Sequence, residues 1–158
     1  MTSAEPGLKR SPAGKDADTT ALSDALTVEY ATVYGYGIVS ALSLPSANDL
    51  VAEAFHEHRT RRDEVIAMLT ARDATVPVAA AGYQLPWPVR SPADAARLAS
   101  RMEGDGATAW RVVVECSDSA GERAFAADAL TQSAVMAARW NKELGGRPIT
   151  EAFPGGNE

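Results

Sequence analysis

The chain has 158 residues, a formal net charge of -6 at pH 7 and a sequence pI near 4.9. Hydrophobic residues make up 46% and charged residues 23%, which is typical of one globular domain and excludes a disordered or fibrous chain. An acidic balance without any basic cluster argues against a protein that binds nucleic acid through its phosphates.

The cysteine content and the distribution of apolar residues indicate the compartment. Cys116 is the single cysteine, so the chain can form no internal disulfide, and its position near the end of a predicted helix indicates inert packing. No apolar run reaches the roughly 18 residues that cross a bilayer, and the first residues lack the apolar stretch of a secretory signal. We therefore expect a protein of the reducing cytoplasm that makes no membrane contact.

The two ends of the chain differ in composition from its middle. Residues 1–17 are rich in Ser, Ala, Gly, Pro and mixed charges, and residues 145–158 have a similar character. Both ends are expected to be loose tails, the first of them disordered. Residues 18–144 are dominated by Ala, Leu, Arg and Glu, the composition of helices, and are expected to form one all-α domain.

Proline and serine mark the ends of the first two predicted helices. The first helix is expected from about Asp18 to Leu44, because Pro45 cannot continue it. Ser46 is placed to cap the second helix, which is predicted to end near Arg72. The turn between these two helices is therefore short.

The third and fourth predicted helices are also joined by a short turn. Ser91 is placed to cap the third helix, which continues to about Cys116. The fourth helix is capped by Asp118 or Ser119 and is expected to stop at Gly145, where a left-handed residue is allowed.

A long proline-rich segment separates the two helix pairs. Residues 73–90, DATVPVAAAGYQLPWPVR, contain three prolines and a glycine that prevent regular helix. The sequence of short, long and short connections is typical of four-helix bundles with one long crossover between the second and third helices. A simple up-and-down bundle with an enlarged loop is the alternative.

A helical wheel at about 100° per residue places one carboxylate on the apolar face of the first helix. Glu29 falls within a face whose other members are Leu22, Leu26, Val33, Gly37, Ser40 and Leu44. We therefore predict that Glu29 is buried. On the third helix, Glu103 lies on the flank of the apolar face, from which it can reach inward.

The second helix offers two histidines with different orientations. His58 lies near the middle of the apolar face, whereas Glu53 and His56 point away from it. The spacing Glu53-x-x-His56 matches a metal-ligand motif of di-iron carboxylate bundles, but its orientation favours a solvated pair. A lone inward histidine such as His58 is more often a hydrogen-bonded structural residue than a metal ligand.

The chain resembles the ferritin-like superfamily, and within it an uncharacterised ferritin-like family of unknown function. Four segments carry this resemblance: EYATVYGYG at 29–37, HRTRRDEV at 58–65, YQLPWPV at 83–89 and AARW at 137–140. Active members of the superfamily are similar in holding two irons with six ligands, one Glu from each of two helices and a Glu-x-x-His from each of the other two.

The resemblance implies a degenerate metal site. Glu29 and Glu103 match the two single glutamates, and His58 is the remaining candidate metal ligand, since the fourth helix supplies none. Buried carboxylates need a partner. We therefore expect Arg62, one turn after His58, to complete a buried polar network of Glu29, His58, Arg62 and Glu103 in place of metal.

These observations lead to one expected function and two alternatives. We expect a ferritin-like bundle without cofactor or catalytic residues, present as a homodimer that could bind an unidentified protein partner. The first alternative is an iron- or manganese-dependent oxidoreductase or iron-handling protein that uses Glu29, Glu103 and either His58 or the Glu53 and His56 pair. The second is a small-molecule binder beside Tyr34 and Tyr36.

Overall fold

The computed structural model describes residues 12–156 of the chain, with side chains from residue 16 onward. Within this range the chain is all-helical and contains no strand, as predicted. Its four helices are α1 (Pro12–Leu42), α2 (Asn48–Thr70), α3 (Pro92–Cys116) and α4 (Ala120–Glu143), and a single 3-10 turn, Pro45–Ala47, lies between α1 and α2. None of the described helices is long and apolar enough to cross a membrane.

The start of α1 corrects one predicted boundary. The helix begins at Pro12, so residues 12–17 are helical rather than part of a disordered tail; the rest of that predicted tail lies outside the described residues. Proline is well tolerated at the first helical position, and the next proline is Pro45, after the end of α1. Nearby, Arg72 forms ion pairs with Asp18, at 3.0 Å, and with Glu122.

Two of the predicted helix caps are present and one is not. The Ser91 hydroxyl accepts a hydrogen bond from the Asp94 N–H at 3.1 Å, and Ser119 accepts one from the Glu122 N–H at 3.4 Å. The prediction that Ser46 caps α2 is wrong, because Ser46 lies inside the 3-10 turn and α2 has no side-chain cap.

The C-terminal segment folds back onto the helices. Gly145 adopts a left-handed φ of 69° after α4 ends, as glycine can at such positions. The Asn141 side chain then donates a hydrogen bond to the Ile149 carbonyl at 3.2 Å, and Gly155 is buried against the backbone of Ala107. The prediction of a loose tail from residue 145 onward is therefore wrong over the described residues.

The buried face of α1 follows a seven-residue repeat. Its buried positions include Leu22, Glu29 and Tyr36, and in parallel Ala25, Thr32 and Val39. The predicted face was wrong beyond its middle, since Gly37, Ser40 and Leu44 are exposed. A straight helix drifts by about 20° per heptad relative to a 3.5-residue repeat. Over six turns this drift adds up, so a wheel drawn at a constant 100° per residue assigns the wrong residues to the buried face near the end of the helix.

The apolar core consists of two clusters, each with residues from all four helices. The first cluster includes Tyr36, Val39, Leu50, Val51, Ala54, Leu98, Ala99, Met102, Met136 and Trp140. The second cluster includes Leu22, Leu26, Val65, Leu69, Trp110, Val113, Ala126 and Ala129. The segment between α2 and α3 packs against the second cluster through Ala74 and Val76 and against the first through Leu85, Trp87 and Val89.

Candidate functional site

Polar side chains lie buried where the two apolar clusters meet. Each helix contributes there: Glu29 from α1, His58 and Arg61 from α2, Glu103 from α3 and Ser133 from α4. In sequence, each of these residues falls between the first-cluster and second-cluster residues of its own helix. We call this group, together with the aromatic donors Tyr36, Trp110 and Trp140, the central network.

His58 bridges the two buried glutamates. Its Nδ1 lies 2.6 Å from Oε2 of Glu29, and its Nε2 lies 3.0 Å from Oε1 of Glu103. Burial alone would lower the pKa of His58, but the hydrogen bonds and the charges of Glu103 and Glu29 outweigh it and raise that pKa from 6.5 to about 9. The ring is therefore an imidazolium at neutral pH, with both N–H groups donating to carboxylates.

Arg61 supplies a second buried cation. Its Nη1 donates to the Ser133 hydroxyl at 2.9 Å and lies 3.5 Å from Oε1 of Glu29. Its Nη2 donates to Oε2 of Glu57, one turn earlier on α2, at 3.2 Å. Two cations, His58 and Arg61, thus balance the charges of Glu29 and Glu103, which offsets part of the desolvation cost of burying four ionised groups.

Three aromatic side chains complete the central network. The Trp110 indole donates to Oε1 of Glu29 at 2.8 Å, and the Tyr36 hydroxyl donates to Oε1 of Glu103 at 2.5 Å. The Trp140 indole in turn donates to the Tyr36 oxygen at 2.9 Å. Burial, together with the charge and hydrogen bond of Glu103, raises the pKa of Tyr36 well above its usual value. Tyr36 therefore remains a protonated donor.

The structure places Arg62 outside the central network, which corrects the predicted set of Glu29, His58, Arg62 and Glu103. The Arg62 side chain is 28% exposed, and its Nε donates to Oδ1 of Asp63 at 2.8 Å. On the wheel, Arg61 and Arg62 lie about 60° and about 40° to either side of His58, so both flank the inward direction. Arg61 is the buried arginine because its partners Ser133 and Glu29 lie on its side of α2.

The Glu53 and His56 pair lies apart from the central network. Both residues are exposed, and Glu53 forms an ion pair with Arg139 of α4 at 2.7 Å. The motif spacing therefore brings these two side chains to the surface, in agreement with the orientation on the wheel. The alternative ligand set built on this pair has no support from the geometry.

The tyrosines and loop aromatics have separate surroundings. Tyr34 is exposed, and its ring packs against Tyr83 with centroids 5.3 Å apart, whereas Tyr36 is buried within the central network. Trp87 packs against the first cluster. Tyr34 and Tyr36 therefore face different environments rather than one shared pocket.

Sequence reasoning missed several members of the central network. No polar role was predicted for Trp110, Trp140 or Ser133, and Tyr36 was predicted only as a neighbour of the alternative small-molecule site. Tyr36 and Trp110 donate hydrogen bonds directly to the two glutamates, whereas Trp140 contacts them through Tyr36 and Ser133 through Arg61. The available signal was the presence of two inward acids, since buried carboxylates require nearby donors.

The donor atoms of the central network do not fit a two-metal centre. Both nitrogens of His58 and both oxygens of Glu29 are engaged with protein donors and acceptors. Of the two glutamates, only Oε2 of Glu103 is buried without a hydrogen-bond partner. Among the described residues, no group of three or more His, Cys, Asp or Glu side chains is arranged to hold a metal ion, whereas a di-iron centre uses six such ligands.

Comparison with known proteins gives a family but no activity. No functionally curated protein matches the chain significantly. A solved structure, a conserved hypothetical protein, rv2844, from Mycobacterium tuberculosis, is 66% identical; the match covers 89% of this chain and 99% of that chain with a TM-score of 0.82. The family model described as "Domain of unknown function (DUF4439)" matches residues 21–158. The chain therefore belongs to this family.

Proposed function

We propose that the four helices form a ferritin-like bundle with one long crossover. The clusters support opposite directions for α1 and α2, because α1 passes from the second cluster to the first and α2 from the first to the second. By the same criterion α3 runs parallel to α2, and α4 runs parallel to α1. A connection between consecutive helices that run parallel must span the bundle, and the contacts of residues 74–89 with both clusters fit that path.

We further propose that the protein is a metal-independent, non-catalytic member of this fold, in which ion pairs replace the metal centre. The observation that carries the proposal is His58, whose two ring nitrogens bind Glu29 and Glu103, the acids that would serve as ligands in active relatives. An imidazolium offers no lone pair to a metal, and Arg61 adds a fixed positive charge 3.5 Å from Glu29.

The function that follows is binding rather than chemistry at the centre of the bundle. A central network that is charge-balanced and hydrogen-bonded supplies a rigid interior, which leaves the helix surfaces to recognise other molecules. We propose a homodimer in the reducing cytoplasm that engages a protein partner. Sedimentation velocity tests the dimer directly, since a monomer at all concentrations would contradict it.

Metal analysis tests the metal-independent state. Protein produced without an affinity tag is assayed by elemental analysis and then titrated anaerobically with ferrous iron and with manganese. We expect substoichiometric metal and no saturable uptake, for the wild type and Glu103→Gln alike. Two metal ions per chain in the wild type, lost in Glu103→Gln, would overturn the proposal and favour an iron- or manganese-dependent oxidoreductase or iron-handling protein.

A further inference from the structure

An apolar groove lies along α4, with Ser100, Gly104 and Ala107 of α3 also lining it. The C-terminal segment forms its opposite wall, and the groove has a volume of about 560 Å³, within the range of small-molecule sites. We call it the tail groove. Its apolar lining includes Leu130, Ala134, Val135, Ala138, Ile149 and Pro154.

Two large apolar side chains that line the tail groove are exposed. Val135 is 54% exposed and Ile149 is 40% exposed, and Phe153, in the same C-terminal segment, is 76% exposed. The core is built instead by another face of α4, which includes Ala129, Ser133, Met136 and Trp140. A helix that is apolar on a second side indicates that something further covers it.

The C-terminal wall of the tail groove is held in place by specific contacts. Asn141 donates to the Ile149 carbonyl at 3.2 Å. Gly155 has a φ of 74°, and a Cβ there would lie 2.6 Å from the Ala107 carbonyl oxygen. Only glycine permits this close approach. The groove is therefore a formed feature of the fold and not a gap beside a free end.

Charge is concentrated at one end of the tail groove. Lys142 lines it there, is exposed and forms no ion pair with the described residues. Arg139 is paired with Glu53, and Glu151 is the acid that lines the groove. From Leu130 to Lys142 the α4 wall is about 18 Å long at 1.5 Å per residue, with the apolar residues first and the free cation at the end.

We propose that the tail groove binds an amphipathic carboxylate with an unbranched hydrocarbon chain. The chain lies along α4 over Leu130, Ala134 and Val135, and the carboxylate pairs with Lys142. Such a ligand covers the exposed apolar surface with its hydrocarbon chain and neutralises Lys142 with its carboxylate. Because Glu151 opposes an anion, its neutralisation strengthens binding.

Calorimetric titration with dodecanoate, below its micelle concentration, tests the proposal. We expect dodecanoate to bind at one saturable site per protein chain. Dodecyltrimethylammonium, which has the same hydrocarbon chain and the opposite charge, should bind more weakly by about tenfold or more. Lys142→Glu lowers the affinity for dodecanoate by a similar factor, and Glu151→Gln raises it. Arg90→Glu, the same charge change at an exposed site outside the groove, leaves it unchanged.

Valine substitutions test the location of the hydrocarbon chain. Val135→Asp abolishes dodecanoate binding, whereas Val78→Asp, at a 90% exposed position outside the groove, does not; circular dichroism checks that both variants fold. No binding, or equal binding of the two amphiphiles, overturns the proposal. So does a wild-type dimer that Val135→Asp dissociates without any heat from dodecanoate, since the groove is then a contact between two copies.

Discussion

Arg61 Nη1 lies 3.5 Å from Oε1 of Glu29, and both side chains are almost completely buried. The same guanidinium donates to Ser133 of α4 and to Glu57 of α2. One side chain therefore contacts residues of α1, α2 and α4. Since a guanidinium carries five N–H donors and no acceptor, Arg61 can contact all three oxygen-bearing side chains at once.

Replacing the buried arginine should destabilise the protein far more than replacing its neighbour. Arg61→Leu leaves Glu29 with one cation fewer in a buried site, and we expect a loss of roughly 3 to 5 kcal/mol in the free energy of unfolding. Arg62→Leu, at the half-exposed position, should change it by no more than about 0.5 kcal/mol. Urea denaturation followed by circular dichroism measures both, and similar values for the two variants would contradict the assignment.

The stability of the protein should fall as the pH rises from 6.5 towards about 9. The pKa of His58 is raised from 6.5 to about 9 in the folded state. Protonation of His58 therefore stabilises the folded state fully below pH 6.5, the pKa in the unfolded chain. This stabilisation is lost as the pH rises through the folded-state pKa of about 9. The change is on the order of 3 kcal/mol. Urea denaturation at several pH values measures it.

Two histidine variants control this pH experiment. His58→Gln should remove the pH-dependent loss, because the titrating group is gone. His56→Gln should retain it, because His56 is exposed and lies outside the central network. A wild-type stability that is flat over this pH range would show that His58 is not held as an imidazolium.

The two nearby tyrosines should differ in their response to loss of the hydroxyl. Tyr36→Phe removes a donor to the buried carboxylate of Glu103 and the acceptor of the Trp140 N–H, and we expect a cost of about 1.5 to 3 kcal/mol. Tyr34→Phe, at an exposed position, should be nearly neutral. Thermal and urea unfolding compare them, and a neutral Tyr36→Phe would argue against the hydrogen-bonded chain.

Gly35 and Gly37 of α1 should respond differently to alanine. A Cβ on Gly35 would overlap Sδ of Met102 on α3, whereas one on Gly37 meets nothing within 4 Å. Gly37→Ala should therefore stabilise the protein by about 1 kcal/mol through helix propensity, whereas Gly35→Ala should stabilise it less or destabilise it, because the Met102 thioether has to move. Equal effects at the two sites would contradict the close packing of α1 against α3.

Three members of the central network were predictable because they interrupt apolar faces. Glu29 and His58 lie on the inward side of their helices by periodicity alone, and Glu103 lies close enough to reach inward; the structure brings all three into contact. The choice between Arg61 and Arg62 was not predictable in this way. Both lie within reach of the inward direction, and only the neighbouring helices distinguish them.

The amino-acid sequence by itself determined four helices, most of their ends and the inward acids, because helix propensity, proline, serine caps and periodicity act over a few neighbouring residues. Tertiary structure alone decided which arginine is buried, which indole donates to Glu29 and how the C-terminal segment packs against Ala107. These outcomes depend on groups far apart in the chain, whose distances and burial are set only when all four helices pack together.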